Sequence, residues 1–365
     1  MSDTDITKTR APIDRFRIVQ IIIGVLFISF VSWRLYIVLS SEVYGPDTWV
    51  RFILSGLVIG SVYSVIAIGY TLVYGILFMI NFAHGEIMML GAFAGYFVFE
   101  AMNAIMVDPV TGLNTLNAYP WISVIIAFAV GMSFSGICGF FLERIAYRPL
   151  RGAPRLIPLI SAIGASIFLQ NAVQLIFGPK RRTYINPDIL SRSTGWSFTI
   201  GSGEVILTYT GVFTFVLSIL LLIGLNTLVQ RSRFGRSMRA VAEDKQTATL
   251  MGINVNSVIS KTFALSGALG GAAGVMWGIQ NGIIYHYVGF IPGLKAFTAA
   301  VLGGIGNIPG AMVGGIFLGV VESVGPAVLG IDFQLKDVIA FSILVLVLIF
   351  RPSGILGEVL SEEKV

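Results

Sequence analysis

The chain has 365 residues, of which 55% are hydrophobic and only 12% are charged, and its mean hydropathy is +0.86. Because soluble domains carry about 25% charged residues, this composition excludes a water-soluble globule and indicates that lipid surrounds much of the surface. The net charge of +5 does not indicate binding to nucleic acid, because the basic residues fall in short clusters between apolar segments. The single cysteine, Cys138, allows no disulfide within the chain, and His84 and His286 lack the neighbours that a metal site needs.

Ten segments of the chain are read as membrane spans, since about 20 apolar residues cross a bilayer core of roughly 30 Å. In chain order they run near 18–39, 52–78, 82–99, 121–142, 156–177, 205–229, 262–281, 289–302, 310–329 and 337–350. The eighth and tenth are short, and short glycine-rich segments are typical of broken or re-entrant helices. The first also fits an export signal, but no cleavage site follows it cleanly, so we interpret it as a retained helix with Arg34 near its outer end.

Clusters of Lys and Arg between the spans indicate the orientation of the chain. With ten spans, the clusters at 8–17, 144–155, 231–261 and 351 fall on one side. Inside loops of membrane proteins carry an excess of basic residues, so we predict that this side and both chain termini are cytoplasmic. One outer loop disagrees, with basic residues at 180–182 and 192, but it does not outweigh the four clusters.

Glycines recur every fourth residue in two regions, at 270, 274 and 278 and at 306, 310 and 314. This spacing places them on one helix face and lets two backbones approach closely, and a smooth face that lets helices slide is the functional alternative. The segment 301–310, VLGGIGNIPG, is expected to interrupt its helix. Interrupted helices often mark a transport route, which makes Asn307 a candidate pathway residue.

Polar side chains inside apolar segments are further candidates, because ionisable groups are costly in a membrane and usually have a role there. Glu86 falls early in the third span, where lining a pathway, latching a gate and capping a helix start remain open. Polar residues of the fifth span either face a solute or join helices by hydrogen bonds. Glu322 lies late in the ninth span, where a position near the outer interface would give it no special role. The candidate pathway residues are Asn81, His84, Glu86, Ser161, Gln170, Asn171 and Asn307.

The segment 230–261 has the sequence most typical of a water-exposed region in this chain. Ser237 is expected to cap a helix over 238–251, and Gly252 is expected to end it. Residues alone leave two interpretations open, a helix lying at the membrane surface and a docking site for a cytoplasmic partner. The chain has no G-x-x-x-x-G-K-[ST] phosphate loop, so we expect no ATP or other cofactor in this chain.

Several motifs carry a family resemblance. They are GYTLVYGI at 69–76, INFAHGE at 80–86, ERIAYRPL at 143–150 and KAFTAAVLGGIG at 295–306. In this order they closely resemble the permease subunit of branched-chain amino acid ABC importers. The similarity covers roughly 49–358, and several long motifs in the right order argue against chance.

The resemblance implies an all-α fold, a polytopic membrane helix bundle of about ten transmembrane helices of the type II-like ABC importer permease class. It implies a transport subunit without enzymatic activity in the bacterial inner membrane. The implied partners are two ATPase subunits that bind ATP, a second related permease and a periplasmic binding protein. The implied division of the chain is a cytoplasmic tail at 1–17, an extra helix with an outer loop at 18–48, the permease domain at 49–358 and a cytoplasmic tail at 359–365.

The resemblance also assigns a role to the segment 230–261, that of a coupling segment which receives force from the ATPases. The residues implied at that contact are Arg236, Arg239, Glu243, Asp244 and Gly252. The implied activity is import of leucine, isoleucine and valine by alternating access. A urea or short-chain amide permease of the same family is the alternative, and an ion-coupled carrier working alone is a third hypothesis, against which the few carboxylates within the spans argue.

Overall fold

The computed structural model of the protein describes residues 15–41, 43–108, 112–154, 156–201, 203–351 and 353–357. Most of the tails predicted at 1–17 and 359–365, and the basic residues Lys8, Arg10 and Arg155, lie outside the described residues. The helices are α1 (Arg15–Ser40), α2 (Pro46–Leu77), α3 (His84–Ala104), α4 (Thr115–Ala118), α5 (Pro120–Leu142), α6 (Leu156–Phe177), α7 (Tyr209–Arg231), α8 (Arg233–Glu243), α9 (Lys245–Leu250), α10 (Val255–Asn281), α11 (Phe290–Gly303), α12 (Ile308–Leu329) and α13 (Lys336–Phe350).

Nine of the described helical segments are long and apolar enough to cross a membrane, and the shorter apolar helix α11 joins them. This confirms the predicted all-α, polytopic helix bundle with about ten spans. With 14 residues, α11 is about 21 Å long at 1.5 Å per residue and does not reach across a bilayer core by itself. The short eighth segment was therefore predicted correctly, while α2 and α10 begin earlier than predicted.

The sixth predicted span, 205–229, begins too early. Residues of its first turn form a strand, and α7 starts only at Tyr209, where the Thr208 hydroxyl accepts a hydrogen bond from the Gly211 N–H at 3.2 Å. Among the described residues, three two-stranded antiparallel sheets occupy the connecting segments. The strands are β1 (Met106–Asp108), β2 (Leu113–Asn114), β3 (Arg182–Thr183), β4 (Gly195–Ile200), β5 (Gly203–Thr208) and β6 (Ile283–Ile284), paired β1–β2, β3–β6 and β4–β5.

The predicted helix over 238–251 is also wrong, because two helices, α8 and α9, meet at Asp244. Asp244 has an extended backbone (φ −153°, ψ 116°), and its carboxylate accepts hydrogen bonds from the N–H groups of Gln246 at 2.8 Å and Thr247 at 3.3 Å. An aspartate in this geometry starts a new helix rather than continuing the old one. Ser232, not Ser237, caps α8, since its hydroxyl accepts from the Gly235 N–H at 2.8 Å.

The centre of the bundle is formed by α10 and α2, which are far more buried than the peripheral helices. In α10, 78% of the membrane-length window is buried, against 6% in α1 and 11% in the segment that ends with α13. The predicted glycine face allows this packing, because α10 lies so close to α3 that a Cβ on Gly274 would be 2.6 Å from the backbone nitrogen of Ala92. The predicted close approach of helices is therefore confirmed at Gly274.

The helix α11 ends at an interrupted segment, as predicted from the glycines and proline of 301–310. Gly304 and Gly306 have φ values of +102° and +99°, which are conformations that favour glycine. The chain segment at 353–357 covers this break, since the N–H groups of Ile355 and Leu356 donate to the carbonyls of Leu302 at 2.7 Å and Gly303 at 3.1 Å. The carbonyls at the end of α11 are thus satisfied by protein rather than by water.

The ends of the helices define two ends of the bundle. We call the one that carries α8 and α9 the coupling end, and it also contains the last turns of α2 and α7 and the loop between α11 and α12. At the opposite end the β4–β5 hairpin lies beside α2, where the Arg51 guanidinium donates to the Glu204 carbonyl at 2.5 Å. In the first segment, the Arg34 guanidinium lies against Gly330, where α12 ends and the helix dipole favours a cation.

Candidate functional site

A buried carboxyl group on α3 is held by two polar side chains of α6. Ser166 and Gln170 are four residues apart and therefore share one face of α6. The Ser166 hydroxyl donates to Glu86 Oε1 at 3.2 Å, and Gln170 Nε2 donates to the same oxygen at 2.7 Å. Glu86 has no exposed surface, and its second oxygen, Oε2, has no hydrogen-bond partner among the described residues. The structure thus brings two predicted pathway residues, Glu86 and Gln170, into hydrogen-bond contact between α3 and α6.

Ser166 and Gln170 also line a cavity of about 480 Å³ that is open on one side. Such a volume lies within the range of small-molecule sites, which are mostly apolar with a few polar groups that orient the ligand. The remaining lining comes from the turn before α3, from α6, and from α11 with the residues just before it. These side chains are Phe82, Ile163, Ile167, Tyr287, Phe290 and Leu294.

Asn81 and His84 position the start of α3 rather than line this cavity. The Asn81 side-chain oxygen accepts hydrogen bonds from the Tyr147 hydroxyl at 2.6 Å and from the Ala83 N–H at 3.1 Å. His84 is buried, and its Nδ1 lies 3.4 Å from the Ser266 hydroxyl. Its ring packs edge-on against the Tyr70 ring, with 4.9 Å between the ring centroids. Because Glu86 lies in the first turn of α3, these contacts fix where its carboxyl group points.

The other predicted pathway residues lie apart from Glu86 and bond locally. The Ser161 hydroxyl donates to the Ala146 carbonyl at 3.0 Å. Asn171 is exposed, and its amide donates to the Ile167 carbonyl of its own helix at 2.7 Å. Asn307 caps α12 through the Gly310 N–H at 3.0 Å and lies at the coupling end. A pathway role for these three residues stays a prediction.

The coupling segment is anchored on one side and exposed on the other. The buried face of α8 carries Gly235, Met238 and Val241. Arg239 donates to the Val229 carbonyl at 2.6 Å and to the Gln230 carbonyl at 3.3 Å, where α7 ends and unpaired carbonyls favour a cation. Arg236, Glu243 and Asp244 are exposed, and Gly252, at φ +80°, lies in the turn after α9.

The coupling segment has an exposed apolar tip, a charged aspartate and a cavity on its inner side. Leu250 and Met251 at its tip are 87% and 77% exposed, which is high for apolar side chains outside the spans. Hydrogen bonds from Thr247 and from two backbone N–H groups lower the pKa of Asp244, so its carboxylate stays charged. Arg239, Glu243 and Asn307 line a second cavity, of about 540 Å³, between α8 and the loop that follows α11.

A buried charge cluster on α11, α12 and α13 was not predicted from the sequence. Lys295 Nζ lies 2.8 Å from Glu322 Oε1 and 2.6 Å from Asp337 Oδ1, and Lys336 Nζ lies 3.5 Å from Glu322. Glu322, late in its span, is only 2% exposed and therefore lies in the interior of the bundle as part of this cluster. The available signal was Lys295, which is the one charged residue in the apolar sequence of α11.

A second charge cluster joins the end of α5 to the start of α10 at the coupling end. Glu143 is fully buried and accepts hydrogen bonds from the Ser260 hydroxyl at 2.5 Å and from Arg148 at 3.3 Å. Arg151 forms a further ion pair with Glu143 and donates to the Asn256 side chain at 2.6 Å. Burial lowers the pKa of Arg151, and the carboxylate of Glu143 opposes that shift. These contacts explain why the motif at 143–150 is rich in charge inside a membrane protein.

A bundle of membrane-length helices, with a buried carboxyl group beside a cavity and an exposed helical segment at one end, is the architecture of a multi-pass membrane protein. A family model described as "Branched-chain amino acid transport system / permease component" matches residues 52–348. The chain belongs to this family, and its role is that of a permease.

Known proteins of this family are similar over most of their length. The high-affinity branched-chain amino acid transport system permease protein BraD of Pseudomonas aeruginosa is 46% identical over 310 residues, which cover 85% of this chain and 96% of BraD. The corresponding LivH protein of Escherichia coli K12 is 42% identical over 308 residues, covering 83% of this chain and 94% of LivH. LivH of Salmonella typhimurium is 42% identical over 307 residues, with the same coverage. No solved structure matches the chain.

Proposed function

We propose that the chain is the translocating permease subunit of an ATP-binding-cassette importer that moves leucine, isoleucine and valine across the bacterial inner membrane. The observation that carries this proposal is the 46% identity to a permease named for branched-chain amino acid transport over 85% of the chain. The chain supplies the passage, and separate subunits bind and hydrolyse ATP. A second, related permease completes the passage, and a periplasmic binding protein delivers the amino acid.

One of the two ATPase subunits docks at the coupling segment in this proposal. An exposed apolar tip at Leu250 and Met251, flanked by charged side chains, is the kind of surface that a partner protein covers. In this proposal the coupling end faces the cytoplasm, because the basic clusters at 144–151, 231–261 and 351 lie there, whereas the opposite end carries the smaller cluster at 180–182 and 192. ATP binding would press on α8, which is tied to the last carbonyls of α7 by Arg239.

The position of α11 between the two cavities supports alternating access in this proposal. Its first turns contribute Phe290 and Leu294 to the cavity beside Glu86. The loop after its end contributes Ile305 and Gly306 to the cavity beside α8. In this proposal a displacement of α8 changes the cavity that it shares with the loop at 304–307, and α11 connects this loop to the cavity beside Glu86.

Reconstitution with the partner subunits tests this function. The chain is combined with its candidate ATPases, related permease and binding protein in lipid nanodiscs, and ATP hydrolysis is measured with leucine, valine or urea. We expect leucine and valine to stimulate hydrolysis. Stimulation by urea alone would instead identify the urea or amide permease of the same family.

The docking role of the coupling segment has a separate test. Charge reversal by Glu243→Lys or Asp244→Lys should uncouple ATP hydrolysis from uptake while the chain still inserts into the membrane. Arg351→Glu reverses a charge at the same end of the bundle but directly after α13, outside the coupling segment, and is the control. Normal uptake in both coupling-segment variants would contradict the docking role.

A further inference from the structure

Glu86 is a buried acid without a cationic partner. Its carboxyl group has no exposed surface, and among the described residues no Lys, Arg or His forms an ion pair with it. Both donors that reach it bind the same oxygen, which leaves Oε2 unpaired. A buried carboxyl oxygen without a partner is costly, and a positive charge placed close to the carboxyl group would offset that cost.

Glu86 also fixes the orientation of the Gln170 amide. Because a carboxylate only accepts hydrogen bonds, the amide nitrogen of Gln170 must face Glu86, as its 2.7 Å contact shows. The amide is planar, so its carbonyl oxygen, Oε1, points away from Glu86. Gln170 itself lines the 480 Å³ cavity, and its carbonyl is therefore an acceptor for a solute in that cavity, with the Glu86 carboxylate directly behind it.

The rest of the cavity is suited to a branched aliphatic group. Five of its lining side chains are purely hydrocarbon, and none of those contributed by the described part of the chain is basic. Phe290 and Leu294, one turn apart on α11, face Ile163 and Ile167, which are one turn apart on α6. A cavity with one polar corner that attracts positive charge and with apolar walls favours an ammonium compound with a hydrocarbon side chain over an anion or a neutral amide.

We propose that this cavity is a substrate subsite in the bundle, in which Gln170 Oε1 accepts the α-ammonium group of the amino acid and Glu86 stabilises its charge. Ser166 holds the second donor position on Glu86, and the branched side chain packs between α6 and α11. The inference rests on the proposed function and adds to it the recognition of the ammonium group by the permease itself. Glu86 and Gln170 are then binding residues, and Asn81 and His84 are positioning residues.

Protection of an introduced cysteine tests the subsite directly. Because Cys138 is the single cysteine of the chain, Ile163→Cys in a Cys138→Ala background provides one reactive thiol at the cavity. The assembled permease and ATPase complex, without binding protein, is labelled with a thiol reagent in the presence of leucine, isoamylamine or 4-methylpentanoate. Isoamylamine has the ammonium group and the branched chain but no carboxylate, and 4-methylpentanoate lacks the ammonium group.

We expect leucine and isoamylamine to slow the labelling, by about fourfold at a concentration of about three times Kd, because only the empty site reacts. 4-Methylpentanoate should not protect. Gln170→Leu should abolish the protection, and Gln174→Leu, one turn further along α6 and outside the cavity lining, should retain it. As a readout independent of labelling, leucine and isoamylamine should raise the Tm of the complex but not that of its Gln170→Leu variant.

Equal protection by 4-methylpentanoate, or the absence of protection together with an unchanged Tm, would overturn the subsite. The outcome is separable from the proposed function. If leucine still stimulates ATP hydrolysis in the full system, the subsite alone is wrong. If leucine does not stimulate hydrolysis at all, the proposed function fails regardless of the labelling.

Discussion

Removal of the buried cation Lys295 should destabilise the bundle strongly. Lys295 is 3% exposed and lies between Glu322, which is 2% exposed, and Asp337 at the start of α13. Its Nζ is also 3.4 Å from the Tyr63 hydroxyl on α2. One side chain thus connects α11 to three neighbouring helices, and Lys295→Met would leave the Glu322 carboxylate in the interior without its nearest cation.

The expected loss of stability in Lys295→Met follows from the burial of both Lys295 and Glu322. Breaking a buried ion pair by removing one charge costs about 3–5 kcal/mol, because the remaining charge stays desolvated. Lys336 offers a matched control, since its side chain is 44% exposed and its Nζ is 3.5 Å from the same carboxylate oxygen. An exposed partner of this kind contributes about 0–1 kcal/mol, so Lys336→Met should be nearly neutral. Replacing both charges together, Lys295→Met with Glu322→Leu, should recover most of the stability that Lys295→Met loses.

The assay is unfolding of the purified chain in detergent, followed by tryptophan fluorescence. Trp277 reports on the cluster because its ring stacks on Tyr63 at 6.5 Å. The order of stability should be wild type and Lys336→Met first, then the double variant, then Lys295→Met. Equal stability of Lys295→Met and Lys336→Met, or a double variant no more stable than Lys295→Met, would refute the argument.

Three further predictions concern the packing, the coupling segment and the carboxyl site. Gly274→Val should lower stability by about 1–3 kcal/mol in a thermal melt, because its Cβ would clash with the backbone at Ala92, whereas Gly164→Val, which has open space, should not. Because the folded pKa of Asp244 is lowered, its cap is complete above the unfolded value of about 3.9 and is lost as pH falls through the lower folded value. ATPase affinity should therefore be constant from about pH 8 to 5 and weaker at every pH in Asp244→Ala. Glu86→Gln should abolish the rise of Tm that leucine causes, and an unchanged rise would exclude Glu86 from the subsite.

The membrane spans were predictable because a bilayer imposes one requirement on every segment that crosses it. Each backbone polar group has to be satisfied inside the helix, so an apolar sequence of sufficient length predicts a span. The break after Gly303 was predictable for a related reason, since glycine and proline do not sustain a helix there. The start of α7 was predicted wrongly because β5 is apolar like the helix that follows, and its hairpin signal at 201–203 is short.

The charge clusters depended on contacts between segments that are far apart in the sequence. Lys295 and Glu322 are 27 residues apart, and no local pattern shows that α11 and α12 bring them together. Glu86 was a candidate from its position in an apolar segment, but its contact with Gln170 spans 84 residues. The break between α8 and α9 was within reach of the sequence, because aspartate is a preferred N-cap residue and Asp244 lies in the middle of the predicted helix.

ATP-dependent uptake into liposomes tests the central claim most directly. The chain is reconstituted with its ATPases, related permease and binding protein, and radiolabelled leucine is followed with ATP supplied on the side of the coupling end. The account predicts that leucine accumulates against its gradient with ATP and does not accumulate with a non-hydrolysable analogue. Accumulation driven by an ion gradient in liposomes that contain the chain alone would contradict it.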